Sequence, residues 1–192
     1  MKKYKYENIK NNESGITILV LVITIIILLI LAGVSVGTGN KVLKESKLEN
    51  LKTNMMLIKV KGKEYVENAN FNLGTAFDNL TDENEKNNRI GKAKENLKKG
   101  TEVSTYNEMI GNMGITESQF QDEKSKLAFY YKLSTQDLND MGLTNVKSDE
   151  ENGWYIIKYD IKGVEVEIYN DKGFENGGTN YYSLTDIEKI DI

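Results

Sequence analysis

The sequence offers few side chains that could carry out catalysis or hold a metal ion. It contains no cysteine and no histidine, which excludes thiol nucleophiles, thiolate metal sites, the commonest general base and the commonest zinc ligand. An enzyme built from this chain would need a Ser/Lys pair or two carboxylates, and no spacing of these residues indicates either arrangement. The composition therefore predicts a protein that is not an enzyme and that needs no cofactor.

One segment combines oxygen-bearing side chains with glycine in a way that could bind a cation. Residues 170–180 read NDKGFENGGTN, and carboxylate and amide oxygens are the ligands that Ca²⁺ prefers. The segment lacks the spacing of the twelve-residue calcium loop. A plain hairpin connection is the favoured alternative.

Aromatic and basic residues leave two further alternatives open. The aromatic residues of the C-terminal part are Tyr130, Tyr131, Trp154, Tyr155, Tyr181 and Tyr182. They could form a ligand-binding face, although core packing and amphipathic strand faces are the stronger expectation. The basic stripe at 41–63 could bind anionic lipid or an acidic neighbouring domain, or it could simply be a solvated helix face.

Charge is distributed unevenly along the 192 residues. Residues 1–70 contain 11 lysines and 6 glutamates, a net charge of +5, whereas residues 71–192 contain 14 basic and 23 acidic residues, a net charge of −9. An acidic C-terminal part is electrostatically unsuited to the phosphate backbone. We therefore expect no nucleic-acid binding by this part of the protein.

The elements that must position these residues begin with a long uncharged stretch. From Ile16 to Val36 the chain is apolar except at four positions, and these 21 residues, at about 1.5 Å each, can cross a hydrocarbon core of roughly 30 Å. The run is longer than the apolar part of a secretory signal, and no A-x-A-like site closes it, which predicts a retained transmembrane helix. The hydroxyl of Thr24 can donate a hydrogen bond to a backbone carbonyl of the preceding turn, and Gly33 allows another helix to approach closely.

An amphipathic pattern follows the uncharged stretch. Apolar residues recur at helical spacing at Leu48, Leu51, Met55, Ile58, Tyr65 and Ala69, with Lys and Glu between them. This stripe needs a partner surface. Because the chain contains no proline, we expect one helix from near Ile16 to near Asn68, with Gly33–Gly39 and Gly62 as points where it could loosen.

The rest of the chain predicts a small α+β domain. Segments 126–133, 154–160, 164–170 and 177–184 are strand candidates, and the second and third of them flank a short hairpin turn. Short capped helices are expected at 104–113, 116–127, 134–142 and 185–190, and 82–100 is a solvated loop or short exposed helix. We therefore predict an antiparallel sheet of three or four strands covered by the amphipathic half of the long helix.

This layout resembles that of type IV pilins and pseudopilins. The resemblance is carried by Gly15, Ile16, Thr17 and Leu19 and by the run GITILVLVITIIILLILAGVSV, which is similar to the prepilin-type N-termini of clostridia and related Gram-positive bacteria. It covers residues 10–45 in detail and the C-terminal domain only in general layout. It implies a leader at 1–15, a transmembrane or filament-core helix at 16–40, an amphipathic extension at 41–70 and an extracytoplasmic head domain at 71–192.

The resemblance also implies partners and a location. A prepilin peptidase would cut between Gly15 and Ile16, and the new α-amino group would be methylated. The subunit would wait as a single-pass membrane protein, N-terminus cytoplasmic and head domain extracellular, in contact with membrane lipid. An assembly platform would then transfer it to other pilin-like subunits in a cell-surface filament for adhesion, motility, DNA uptake or secretion. Charge alone does not give the orientation, because four lysines precede the span and four follow it closely.

One position departs from the family pattern. Pilins usually have a glutamate at the fifth mature position, where this chain has Val20. Valine avoids a membrane cost of about 2.5–3.5 kcal/mol and leaves the Ile16 amine without its usual partner. This indicates either that shape sets the register or that the subunit is a minor one at a filament tip. The alternative function is an uncleaved single-pass anchor that presents an extracellular binding domain.

Overall fold

The computed structural model describes residues 13–97, 99–109, 111 and 113–191, and before residue 41 it describes side chains only at Thr24 and Ile25. Helix α1 runs from Glu13 to Leu73. It ends where Gly74 adopts a positive φ of 80° and donates its backbone N–H to the carbonyl of Asn70, a helix stop that favours glycine. The predicted single long helix is thus confirmed, and it ends somewhat later than Asn68.

The chain divides into two compact units, Met1–Ser46 and Lys47–Ile192. The second, here called the head unit, contains the C-terminal part of α1 and every other helix and strand. It is built on one antiparallel sheet with strands β1 Thr101–Glu102, β2 Ala128–Leu133, β3 Tyr155–Asp160, β4 Glu165–Asn176 and β5 Thr179–Ser183. The strands lie in the sheet in their sequence order. The α+β class and the antiparallel sheet are confirmed, but the predicted count of three or four strands is wrong, since the sheet has five. The additional strand, β1, has two residues and is too short to show any periodicity.

The β4–β5 hairpin contains the segment 170–180. β4 and β5 meet through the pair Gly177 and Gly178, whose φ values are 60° and 82°, the geometry that two-residue hairpin turns require. The register shifts between Tyr169 and Phe174, so β4 carries a bulge before the turn. The hairpin connection favoured for this segment is confirmed.

Four further helices complete the head unit: α2 Glu83–Glu95, α3 Glu117–Ser125, α4 Thr135–Asp140 and α5 Leu184–Ile187. Asp82, Thr116, Ser134 and Ser183 cap their N-termini through side-chain oxygens, as the Ser/Thr and acidic patterns predict.

The helix expected at 104–113 is wrong in type and length. Among the residues of this segment that the structure describes, the helical part is a 3-10 turn at Tyr106–Glu108, and its N-cap residue Thr105 makes no side-chain capping bond. Glu108 instead folds back and accepts the backbone N–H of Ser104 at 2.7 Å, and this hydrogen bond lowers the pKa of the Glu108 carboxyl. Met113 then takes a positive φ of 40°, a conformation that cannot continue an α-helix.

The main core lies between α1 and one face of the sheet. On α1, Leu48, Met55, Ile58 and Ala69 are buried, and Leu51 and Tyr65 pack against them at the edge, so the predicted stripe is confirmed. The opposing sheet positions include Ile157, Tyr159, Val166 and Ile168. They share a face because Ile157 pairs with Ile168 and Tyr159 with Val166 across β3 and β4.

Helix and sheet approach each other most closely at Gly62. A Cβ atom there would lie 2.6 Å from Cδ1 of Ile157 and 3.0 Å from Cγ1 of Val166. These distances are shorter than van der Waals contact between carbon atoms. Gly62 does not loosen the helix; it lets the helix backbone rest on the sheet.

The opposite face of the sheet carries a second, smaller core under α3. Phe120 of α3 packs on Tyr130 with ring centroids 5.0 Å apart, and Val103, Ile156 and Tyr169 complete the cluster. Tyr130, Tyr131 and Tyr155 are buried, whereas Trp154, Tyr181 and Tyr182 are partly exposed. The expectation that most of these aromatics pack in the core or on strand faces is confirmed.

Candidate assembly surface

The predicted processing and assembly residues fall largely outside the described side chains. These are Gly15, Ile16, Thr17, Leu19, Val20 and Gly33. The helical backbone of α1 passes through all of them. Thr24 is described and its side chain is exposed.

Among the residues that the structure describes, no helix is both long enough and apolar enough to span a membrane. The predicted span at 16–36 lies outside the described side chains, apart from Thr24 and Ile25.

Within the head unit, α1 presents a second apolar surface that faces away from the sheet. It consists of Met56, Leu57, Val60 and Phe71, with exposed fractions of 50, 44, 70 and 85 %, and is called the outward strip here. At 100° per residue these positions cluster on the side of the helix opposite the buried stripe. The sequence analysis missed this strip, because the run MMLIKV at 55–60 supplies apolar residues to both faces at once.

Three polar side chains on the flanks of α1 fix its position on the sheet. Lys52 Nζ donates to the carbonyl of Ile190 at 3.2 Å, Lys63 Nζ to that of Val164 at 2.6 Å, and Asn70 Nδ2 to that of Ile161 at 2.9 Å. These three contacts oppose rotation of the head-unit part of α1 about its axis. The outward strip is therefore presented in a fixed orientation.

The α3 side of the sheet has a cavity of about 440 Å³, bordered by Glu123, Tyr169, Tyr181, Tyr182 and Asp186. Glu123 is already engaged, because it accepts a hydrogen bond from the Tyr130 hydroxyl and forms an ion pair with Lys158 at 2.9 Å. Hydrogen bonds from Lys189 and Ser183 lower the pKa of the Asp186 carboxyl.

A carboxyl group held ionised in this way is a poor general acid near neutral pH. At this cavity the Asp186 carboxyl is therefore a charged hydrogen-bond acceptor.

The oxygen atoms of the 170–180 segment serve the fold. Asn170 Oδ1 accepts the N–H groups of Lys172 and Gly173, Asp171 Oδ1 accepts that of Trp154, and Glu175 Oε1 accepts that of Gly178. Within the described part of the chain, no group of three or more His, Cys, Asp or Glu residues is placed to hold a metal ion. These oxygens stabilise the bulge and turn of β4.

Comparison with protein-family models, with curated proteins and with solved structures finds no match to this chain.

Proposed function

We propose that this chain is a prepilin-like structural subunit of a type IV pilus or pseudopilus, cleaved after Gly15 and assembled through its apolar N-terminal helix. In this proposal residues 16–36 hold the subunit in the membrane before assembly and lie in the core of the filament afterwards. The protein acts as a building block at the cell surface and not as a catalyst.

The observation that carries the proposal is the continuity of α1. One helix, Glu13–Leu73, contains both the uncharged stretch and the segment that covers the antiparallel sheet. An all-round apolar helix is about equally suited to lipid and to a bundle of like helices, so its transfer between them involves no large hydrophobic gain or loss and close packing can decide the balance. An assembly motor could then drive the exchange with moderate work.

The outward strip supports assembly from the head side. Exposed apolar clusters rimmed by polar residues are typical of protein interaction sites, and here the exposed Glu64 and Glu67 lie on the same side of α1 as Val60. We infer that a neighbouring subunit covers the strip in the filament. Shape-based packing of this kind fits a subunit with Val20 in place of the usual glutamate.

The processing step is tested by intact mass. We expect protein from native membranes to lack residues 1–15 and to carry one added methyl group, and Gly15→Leu to leave the leader in place and to abolish incorporation into sheared filaments. Gly37→Leu, which alters a glycine away from the cleavage point, is the matched control and should be processed normally. A wild-type mass that still includes Met1 would contradict the proposal.

That same result would favour the uncleaved anchor that presents a binding domain. The specific observation in favour of this second candidate is the partly open cavity beside Tyr181 and Tyr182.

A second variant set separates assembly from processing. Val60→Glu should be cleaved but excluded from filaments, whereas Asn87→Glu, the same charge change on exposed α2, should assemble. Equal incorporation of the two variants would refute the role of the strip.

A further inference from the structure

A second cavity of the head unit, here called the basic pocket, has a composition unlike that of the surrounding surface. Its volume is about 470 Å³, and it opens between α1, the 145–152 loop and the β4 bulge. Lys47, Lys147 and Lys172 line it together with Asn54 and Asn170, and the only carboxylate that lines it is that of Glu151. Three positive charges thus converge in a domain whose residues 71–192 carry a net charge of −9.

The three lysines outnumber the carboxylates beside them, which are Glu151 in the lining and Asp149, whose pKa the charge of Lys147 helps to lower. Within the described residues none of them forms an ion pair, and Lys172 Nζ donates to the backbone carbonyl of Glu151 at 2.7 Å. A carbonyl oxygen carries only a partial charge, so the positive charge of Lys172 remains available. The local electrostatic potential favours an anion.

Asn170 adds an unused hydrogen-bond donor to these charges. Its side chain is only 1 % exposed. The oxygen Oδ1 accepts the backbone N–H groups of Lys172 and Gly173, both at 3.1 Å, which fixes the amide orientation. The nitrogen Nδ2 is buried and has no acceptor among the described residues. Buried donors are nearly always paired, and Asn170 lines the pocket, so this donor is available to an acceptor oxygen bound there.

The loop that borders the pocket is stabilised by the side chain of Asp149. Asp149 Oδ1 accepts hydrogen bonds from the backbone N–H groups of Glu151 and Asn152, at 3.1 and 2.8 Å. Gly153 follows with a φ of 88°, and a Cβ atom there would lie 2.8 Å from Asn170 Nδ2. Glycine is therefore required at this position, and the donor is held in place before any ligand arrives.

We propose that the basic pocket binds a phosphate-type oxyanion, with Lys47, Lys147 and Lys172 supplying charge and Asn170 Nδ2 supplying a fixed hydrogen bond. Lysine ammonium groups on flexible stems bind phosphate as point charges, and a phosphate oxygen can accept the amide hydrogen that the protein leaves unpaired. The phosphate can belong to a free ion or to a lipid headgroup. This inference does not depend on the filament role.

The test uses the full 192-residue chain in a maltoside detergent, which carries no phosphate. Inorganic phosphate is titrated at constant ionic strength with chloride as the reference, and the side-chain amide signal of Asn170 is followed by NMR. We expect a saturable shift of this signal with a dissociation constant on the order of millimolar. In a second arm, short-chain phosphatidylglycerol replaces inorganic phosphate. Saturable shifts in either arm support the proposal and identify the source, and shifts in neither overturn it.

Variants show whether the basic pocket is responsible. Lys47→Gln and Lys147→Gln should each weaken phosphate binding about two- to fivefold, and Asn170→Asp, which replaces the donor by a negative charge, should abolish it. Lys92→Gln, which removes an exposed lysine that does not line the pocket, is the control and should bind as wild type. If Asn170→Asp does not fold, the two lysine variants decide, because both residues are exposed. Equal affinity in both lysine variants and the control would overturn the proposal.

Discussion

The energetic effect of the close contact at Gly62 can be measured as the change in unfolding free energy when a single methyl group is added. Gly62→Ala places a Cβ atom 2.6 Å from Cδ1 of Ile157. Ile157 is fully buried, so its side chain cannot swing into solvent to relieve the contact. Forcing extra atoms into a packed core costs about 1–3 kcal/mol.

The same substitution also raises helix propensity, and replacing a second glycine that makes no close contact measures this effect alone. Replacing a mid-helix glycine by alanine stabilises a helix by about 0.8–1.0 kcal/mol. Gly91 in α2 has no atom within 4 Å of the Cβ position, so Gly91→Ala should show this gain alone. Gly62→Ala should have the same gain in helix propensity, but its clash with Ile157 should lower the unfolding free energy. We therefore expect the unfolding free energies of the two variants to differ by about 1–3 kcal/mol.

Urea unfolding followed by the fluorescence of Trp154 provides the assay, since it is the only tryptophan and lies immediately before β3. The slope of unfolding free energy against urea should be the same in all variants, so that midpoint shifts report stability. A double-mutant cycle identifies the contact. Ile157→Val removes the Cδ1 atom, and in that background Gly62→Ala should lose about 1 kcal/mol or more of its penalty.

Equal stabilisation by Gly62→Ala and Gly91→Ala would contradict a close contact at Gly62. Helix α1 would then lie farther from the sheet than the structure places it. A penalty that is present but unchanged by Ile157→Val would contradict the assignment of the contact to Ile157, because another neighbour would then carry it.

Two further predictions concern the buried polar groups. Ser148 Oγ is buried, donates to the carbonyl of Leu133 at 2.5 Å and accepts the N–H of Tyr155 at 2.9 Å. Ser148→Ala should therefore lower the unfolding free energy measured in urea by about 2–3 kcal/mol. The exposed control Ser125→Ala should stay within about 0.5 kcal/mol of wild type, and equal effects of the two variants would contradict the prediction. Burial raises the pKa of six tyrosines in the head unit. Tyr65 is only partly buried, and the other five are buried: Tyr130, Tyr131, Tyr155, Tyr159 and Tyr169. The unfolded chain releases these protons near pH 10 and the folded chain retains them, so their contribution to stability is complete below about pH 10 and is lost as the pH rises further. Tyrosinate absorbance should therefore show these groups ionising only together with unfolding, and their ionisation while circular dichroism stays native would count against it.

Much of the head-unit architecture could be predicted because local periodicity was strong. The stripe from Leu48 to Ala69 repeats at helical spacing, and the strand residues of β2, β3 and β4 are rich in Tyr, Phe and Ile. Each pattern therefore indicates which face of its segment is buried. β1 was missed because two residues contain no period.

The head-unit surfaces proposed for function were harder to predict. The outward strip was hidden because apolar residues at 55–60 occupy all sides of the helix, and only the fold shows which of them the sheet covers. The basic pocket depends on lysines from α1, from the 145–152 loop and from β4. No spacing in the sequence links such distant positions. The orphan donor of Asn170 likewise becomes visible only when its neighbours are in place.

The hydrogen bond between Lys52 and the carbonyl of Ile190 spans 138 positions of the chain. This separation determines how late in synthesis the contact can form. The meander of β1 to β5 can form one hairpin after another as the polypeptide emerges, but α1 gains its last fastening only after Ile190 has been made. At roughly 5–20 residues per second, Ile190 is made about 7–28 s after Lys52. Until the sheet has formed within that interval, the apolar stripe of α1 is exposed, and a chaperone that binds residues 48–69 would have its greatest effect then.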